Sequence, residues 1–145
     1  MVSQKMMRFL KEINIPIRLS CISESDYPIV ISLMYIYFDE KFFCATQNNS
    51  KIIGYLKRNS KCGFEIAGDS PPYRGVRGYG NAAIYENEGE KILCLLLQRY
   101  FKGKESSQLY KLLLSRKHLE AEVAIEINPI RMFEWDYTER MKDLA

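Results

Sequence analysis

The sequence predicts a mainly β protein, an antiparallel β-barrel with peripheral helices. Between Ala121 and Ile127, apolar residues at every second position alternate with Glu122 and Glu126, as in a strand that buries one face. Turn-forming residues separate the apolar runs of the first half, at 23–26 and at 39–40. The predicted strands therefore follow one another as hairpins, with helices inserted between them. This order argues against a doubly wound parallel sheet.

The first half of the chain is predicted to form one helix and three strands. Met6, Met7 and Leu10 have helical spacing, and the pattern stops before Pro16. The run 27–38 is almost entirely apolar and aromatic, which is typical of a long strand covered on both faces. In order, the predicted elements are a helix over 4–13 and strands over 18–23, 27–38 and 42–45.

The second half is predicted to contain a short helix, a glycine-rich strand and two late helices. Ile52, Tyr55 and Leu56 fall at i, i+3 and i+4, so an amphipathic helix follows residue 50 and ends near Arg58. Glycines at 75, 78 and 80 indicate bulges or close backbone approach, because their spacing does not fit a dinucleotide-binding motif. The other predicted elements are strands over 62–67, 73–86 and 121–127, a strand-like run over 130–135, and helices over 88–101 and 106–118.

The length of 145 residues predicts one domain that spans 1–145. A net charge of +3, with acidic and basic residues interspersed, suits small anionic ligands without requiring nucleic acid. The first residues contain no long apolar stretch, and no run reaches membrane-spanning length. We therefore expect a cytoplasmic protein.

Neither the cysteines nor the single histidine predicts a catalytic or metal centre. His118 lies in a charged stretch and is expected at the solvated surface, although histidine also serves as a switch or a ligand. A metal site of several imidazoles or a catalytic triad would have to be built on this one residue. The four cysteines lie far apart in apolar surroundings and are interpreted as buried free thiols; they are Cys21, Cys44, Cys62 and Cys94.

The segment TQNNSK (46–51), here called the hinge, joins a predicted hairpin to a predicted helix. Hydroxyls at Thr46 and Ser50 and the ammonium of Lys51 gather where the first helical turn has unpaired N–H groups. Such a set of donors forms an anion site, most plausibly for phosphate. The alternative is an ordinary helix cap, in which Asn49 or Ser50 accepts from its own helix and Lys51 is solvated.

The segment 73–79 offers a second binding surface. Arg74 and Arg77 stand beside Tyr73 and Tyr79, and guanidinium and aromatic groups together bind bases and phosphates. The alternative is a set of solvated residues at a sheet edge. The segment therefore also allows a weaker hypothesis, a nucleic-acid-binding β-barrel.

Several segments, in order along the chain, resemble the FMN-binding split barrels related to pyridoxamine 5'-phosphate oxidase. These segments are DYPIVISLMY (26–35), the turn at 39–40, the hinge, and YRGVRGYGNA (73–82). The ending PIRMFEWDY (129–137) is similar to that of small prokaryotic members of the family. The resemblance extends from residue 15 to residue 137.

The resemblance implies a six-stranded Greek-key split barrel that forms a homodimer with two FMN sites at its interface. In such proteins a strand matching Leu33, Met34 and Tyr35 lies along the flavin ring and bonds its edge through backbone groups. Residues matching Thr46, Ser50 and Lys51 take the phosphate, and Arg77 lies near that pocket. Trp135 matches a position from which the partner subunit covers the flavin; a buried core tryptophan is the alternative.

The resemblance favours an FMN-dependent oxidoreductase of unknown substrate. A flavin supplies the redox chemistry itself, so no catalytic side chain needs to be visible in the sequence. The alternative is a non-catalytic carrier or sensor of flavin, deazaflavin or haem on the same barrel. The sequence after Trp135 contains Arg140 but no histidine, whereas the oxidase holds its substrate phosphate with an arginine and histidine cluster there. The substrate is therefore left open.

Overall fold

The computed structural model of the chain describes residues 2–144, which form five α-helices and seven β-strands. The helices are α1 (Gln4–Glu12), α2 (Lys51–Arg58), α3 (Gly89–Tyr100), α4 (Gln108–Leu113) and α5 (Arg116–Ala121). The strands are β1 (Ile17–Ile22), β2 (Pro28–Leu33), β3 (Ile36–Phe38), β4 (Lys41–Gln47), β5 (Lys61–Ala67), β6 (Arg74–Tyr85) and β7 (Glu122–Asp136). None of the helices in the described range is long and apolar enough to cross a membrane.

The seven strands form one antiparallel sheet in the order β2-β1-β5-β6-β7-β4-β3. The edge strands β2 and β3 are consecutive in sequence and are joined only by Met34 and Tyr35. The three residue steps from Leu33 to Ile36 span at most about 11 Å, so the sheet must curl until its two edges approach each other. The edges do not pair, so the barrel is split. The predicted antiparallel barrel with peripheral helices is confirmed, with seven strands where the resemblance implied six.

The prediction of one strand over 27–38 is wrong, because this run forms two strands, β2 and β3. The chain leaves the sheet at Tyr35, whose side chain is fully buried and whose hydroxyl donates to the carbonyl of Leu10 at 2.7 Å. This bond ties the β2–β3 corner to α1 and separates the two strands. β2 is also not covered on both faces, since its residues alternate between half-buried and exposed and Val30 is 67% exposed.

Two further boundaries differ from the prediction. The prediction of one helix over 106–118 is wrong, because Ser115 caps a second helix there. Its side chain accepts a hydrogen bond from the N–H of His118 at 3.4 Å. Conversely, β7 continues through Pro129 as one strand. Tyr79 pairs with Arg131 and Gly80 with Pro129, which leaves one extra residue in a bulge. A proline is tolerated there because a bulge interrupts the ladder.

The main core lies inside the curled sheet. α2 packs on this inner side of the sheet, whereas α3 packs on its outer side. α2 places Ile52, Ile53 and Leu56 in the main core. α3 packs Ile92 and Leu96 on the opposite face of β4 and β7. The prediction of buried free thiols is confirmed for Cys21, Cys44 and Cys62, whereas Cys94 is only half-buried. The sheet face on which α3 packs is therefore not solvated, a point that matters for Glu122 below.

Close backbone approach at the glycines of β6 is confirmed, and it is tightest at Gly80. A Cβ atom there would lie 2.0 Å from the carbonyl oxygen of Asn128. We expect Gly80→Ala to lower the free energy of unfolding by about 1–3 kcal/mol through overpacking. Gly54→Ala, on α2 with no atom near the added methyl, should instead raise it by about 1 kcal/mol. Urea unfolding measures both, and equal effects of the two changes would contradict the close contact.

Candidate functional site

The hinge lies where β4 ends and α2 begins. Thr46 is in β4, and Ser50 occupies the N-cap position of α2. The Ser50 side chain makes no capping hydrogen bond, and no acidic residue stands in the first turn. Lys51 is exposed and belongs to none of the ion pairs formed within residues 2–144. A hydroxyl, an ammonium and the positive end of a helix are therefore uncommitted at one place, and this donor set fits a phosphate.

Within the hinge, Gln47 connects the end of β4 to α5 and to the start of β7. Its side-chain amide donates to the carbonyl of His118 at 3.1 Å and to the carboxylate of Glu122. The next residue, Asn48, donates its N–H to the carbonyl of Ala121 at 2.7 Å. These bonds hold the first half of the hinge against α5 and the start of β7, so the path of the chain toward Ser50 is fixed by contacts outside the hinge.

His118 and Glu122 form a half-buried pair that the sequence did not predict. The Nε2 atom of His118 lies 3.1 Å from Oε1 of Glu122, and the Glu122 side chain is only 3% exposed. The expectation of a solvated His118 is therefore wrong. Glu122 stands at a polar position of the alternating pattern, but α3 and α5 pack near that end of β7. The spacing of four residues between the two side chains was the one available signal.

Burial raises the pKa of the Glu122 carboxyl above its usual value, although Gln47 and His118 partly oppose this. The folded protein therefore holds this proton more tightly than the unfolded chain does. The stability that the proton contributes is present at low pH and is lost as pH rises through the raised pKa. We expect wild type to lose stability relative to Glu122→Gln as pH is raised from about 4.3, the ordinary glutamate pKa, toward neutral. Urea unfolding across this range tests it, and parallel curves would contradict it.

The predicted flavin-lining residues lie at the corner between β2 and β3. Leu33 and Met34 are half-buried, Leu33 against the main core and Met34 against the α3 cluster. Tyr35 has its carbonyl bonded by Arg99 at 2.8 Å and its N–H directed at the hydroxyl of Tyr100 at 3.4 Å. Burial raises the pKa of Tyr35 to about 12, so its hydroxyl stays a donor. Because its polar groups are engaged within the chain, the structure does not favour Tyr35 as a cofactor contact.

Arg77 and Trp135 lie together on adjacent strands. The Arg77 guanidinium is 5.5 Å from the centre of the Trp135 ring, and Trp135 is half-buried, so it is not a fully buried core residue. Arg74 instead packs over Phe9 of α1 at 4.8 Å. The two arginines therefore point to different surroundings and do not form the single basic face that nucleic-acid binding would need.

Arg77 also borders a groove of about 620 Å³ across the outer face of β1, β5, β6 and β7, here called the sheet groove. Its floor includes Gly63, which has no side chain to fill the space above the sheet. Three apolar residues around it are strongly exposed: Val30 by 67%, Tyr79 by 50% and Phe133 by 43%. An exposed apolar surface of this kind marks an interaction site.

The hinge and the Arg77–Trp135 pair lie in different parts of the chain. Thr46 pairs with Val123 near the start of β7, whereas Trp135 is twelve residues further along that strand. Twelve extended residues cover roughly 40 Å. Arg77 pairs with Phe133 and so belongs to the Trp135 end. The two groups of predicted site residues therefore lie at opposite ends of β7.

No family model matches the chain, and no curated protein matches it. Solved structures do. A conserved hypothetical protein from Mycobacterium tuberculosis superposes with a TM-score of 0.77 at 20% identity, over 97% of this chain and 88% of that one. An F420 reductase superposes with a TM-score of 0.70 at 16% identity, over 87% of this chain and 94% of that one. A putative pyridoxamine 5'-phosphate oxidase from Listeria innocua superposes with a TM-score of 0.67 at 17% identity, over 90% of this chain and 94% of that one.

These similarities cover almost the whole chain at low sequence identity, so they define the fold. The chain has the split-barrel fold of the pyridoxamine 5'-phosphate oxidase-like proteins. The resemblance stated from the sequence is confirmed at this level. Cofactor and activity depend on the site and are proposed below.

Proposed function

We propose that the protein is a homodimeric FMN-binding protein related to pyridoxamine 5'-phosphate oxidase, and that it acts as a flavin-dependent oxidoreductase. The observation that carries this proposal is the hinge. Its Ser50 hydroxyl and Lys51 ammonium have no partner of their own in the described chain, and they stand at the start of a helix without acidic residues. Phosphate is the group of FMN that such donors bind.

The separation of the site residues supports a dimer. The hinge of one chain would take the phosphate through Thr46, Ser50 and Lys51, while Leu33 and Met34 line the ring. Arg77 and Trp135 of the partner subunit would complete the site. The exposed apolar residues around the sheet groove favour association, because a second copy of the chain removes them from water.

The bound flavin would supply hydride and electron transfer. The chain's own residues would anchor the phosphate, orient the ring and limit its exposure to water. Among residues 2–144, no side chain is placed as a dedicated proton donor in this arrangement. Glu122 is a buried titratable group near the hinge, but it contacts Gln47 and His118 and faces α5, so it does not point toward the proposed flavin.

A carrier or sensor without turnover uses the same binding residues and is the alternative. A deazaflavin cofactor would also place a phosphate at the hinge. For haem, His118 is the one histidine of the sequence, and it would have to leave Glu122 in order to bind iron. The loss of a Soret band in His118→Ala would support haem, and an unchanged band would exclude this ligand.

The decisive experiment combines the visible spectrum of the purified protein with mass spectrometry of what heat releases from it. We expect a flavin spectrum and a released mass equal to that of FMN. Light scattering should give twice the chain's 17.0 kDa. Bleaching of the bound flavin by reduced nicotinamide, followed by recovery in air, would distinguish an oxidoreductase from a carrier. A colourless protein that binds neither FMN nor deazaflavin would contradict the proposal.

A further inference from the structure

Two buried cysteines stand directly opposite each other on adjacent antiparallel strands. In the register of β1 and β5, Cys21 pairs with Cys62. Both face the core, with 1% and 6% of their surfaces exposed. The neighbouring pair of the same register, Leu19 and Phe64, differs from them by two residues on each strand and is buried as well. The two thiols therefore project from the same face of the sheet.

The backbone of β1 shows which type of pair this is. Ser23 donates its N–H to the carbonyl of Tyr27 at 2.9 Å, so the polar groups of Ser23 point away from β5 and toward the β2 side. Residues two apart in a strand point their polar groups in the same direction. The N–H and C=O of Cys21 therefore point toward β2.

The same argument applies to β5. Ala82 donates its N–H to the carbonyl of Ser60 at 2.8 Å, which directs the polar groups of Ser60, and so those of Cys62, toward β6. Cys21 and Cys62 therefore form a non-hydrogen-bonded pair. Such pairs have Cα atoms about 4.5 Å apart and the closest side chains in an antiparallel sheet. That spacing lies within the range of about 4.4–6.8 Å that a disulfide needs.

We propose that Cys21 and Cys62 are a redox-sensitive dithiol that closes to an intramolecular cross-strand disulfide when the protein meets hydrogen peroxide. One thiol is first oxidised to a sulfenic acid, and the peroxide is reduced to one water. The second thiol then attacks that sulfur, the S–S bond forms and the hydroxyl leaves as a second water. In total the two thiols lose two electrons and two protons, and one peroxide becomes two waters.

The surroundings make this a slow site. Burial raises the pKa of Cys21, and burial together with the neighbouring Cys21 thiol raises the pKa of Cys62 to about 11. Little thiolate is therefore present at neutral pH, and the thiolate is the reactive form. The same burial shields the closed disulfide from attack by other thiols. The pair responds to prolonged oxidant exposure and not to a brief pulse.

The test uses the full chain with whatever cofactor it carries, as wild type and as the double variant Cys44→Ala with Cys94→Ser, which keeps only the pair. One sample is incubated with hydrogen peroxide. A second is equilibrated with reduced and oxidised glutathione in urea below the unfolding midpoint, where opening of the sheet no longer limits the reaction. Both are then alkylated under denaturing conditions, digested with trypsin and analysed by mass spectrometry.

We expect a peptide containing Cys21 joined to a peptide containing Cys62 in both wild type and the double variant. The fraction of linked peptide should be at least as high after the glutathione treatment as after the peroxide treatment. The closed form should melt roughly 5–10 °C higher, and a reductant should reverse the shift. Cys21→Ala should yield no linked peptide. Four free thiols after the glutathione arm, or a Cys44–Cys62 link instead, would overturn the proposal.

Discussion

Replacing Ser50 and Lys51 together by alanine is expected to weaken FMN binding by at least about 100-fold, or a few kcal/mol. The two changes remove a hydroxyl and a positive charge from the phosphate. They should leave the fold intact, because the Ser50 side chain makes no capping bond and Lys51 is exposed. Titration of the cofactor-free protein with FMN, followed by flavin fluorescence, measures the loss.

The matched control is Lys57→Ala on the same helix. It removes the same charge from the far end of α2, where Lys57 pairs with Glu86 at 2.8 Å. We expect this variant to bind FMN as wild type does. If both variants bind FMN equally well, the phosphate lies elsewhere and the hinge is an ordinary helix start.

Arg99→Met is expected to have the largest effect on stability, a loss of about 3–5 kcal/mol. The Arg99 guanidinium donates to the carbonyls of Tyr35, Leu10 and Ile13 at 2.8, 2.9 and 2.6 Å. It also lies over the Tyr35 ring at 4.5 Å. One side chain thus joins the end of α1, the β2–β3 corner and α3, and methionine leaves the carbonyls without these donors. The shift of the urea midpoint measures the loss.

Arg116→Met is the control for Arg99→Met, because Arg116 is exposed and its one ion pair within residues 2–144 is with Glu120, one turn away at 3.2 Å. Its stability should stay within about 0.5 kcal/mol of wild type. A loss below about 1 kcal/mol in Arg99→Met would show that the three carbonyls find other donors. Since Arg99 fixes the corner that carries Met34, its loss should also weaken cofactor binding.

Features with a local cause could be predicted from the sequence. The start of α2, the turn at Asp39 and Glu40, and the close approach at Gly80 follow from residue types within a few positions. Both turn residues adopt positive φ, at 54° and 60°, as a tight hairpin requires. The candidate phosphate site belongs to this group, because its donors are neighbours in the chain.

The features that the sequence did not predict depend on residues far apart in the chain. The break at Tyr35 depends on Leu10 and Arg99, and no local signal marks it. Glu122 reads as solvent-facing from its alternation, yet helices cover that face of the sheet. The separation of Trp135 from the hinge was implied only by the resemblance, which assigns Trp135 to the partner subunit; in the structure it follows from the length of β7.

The position of β7 in the sheet also has a consequence during synthesis. β7 lies between β6 and β4 and is the only strand of the described chain that pairs with either the β4–β3 hairpin or residues 82–85 at the end of β6. It is also the last of the seven strands to leave the ribosome. Until then the β3–β4 hairpin has no partner strand, and its edge and that of β6 stay open to pairing with other chains. Nascent chains halted before residue 122 should therefore bind chaperones, whereas chains that extend through β7 should not.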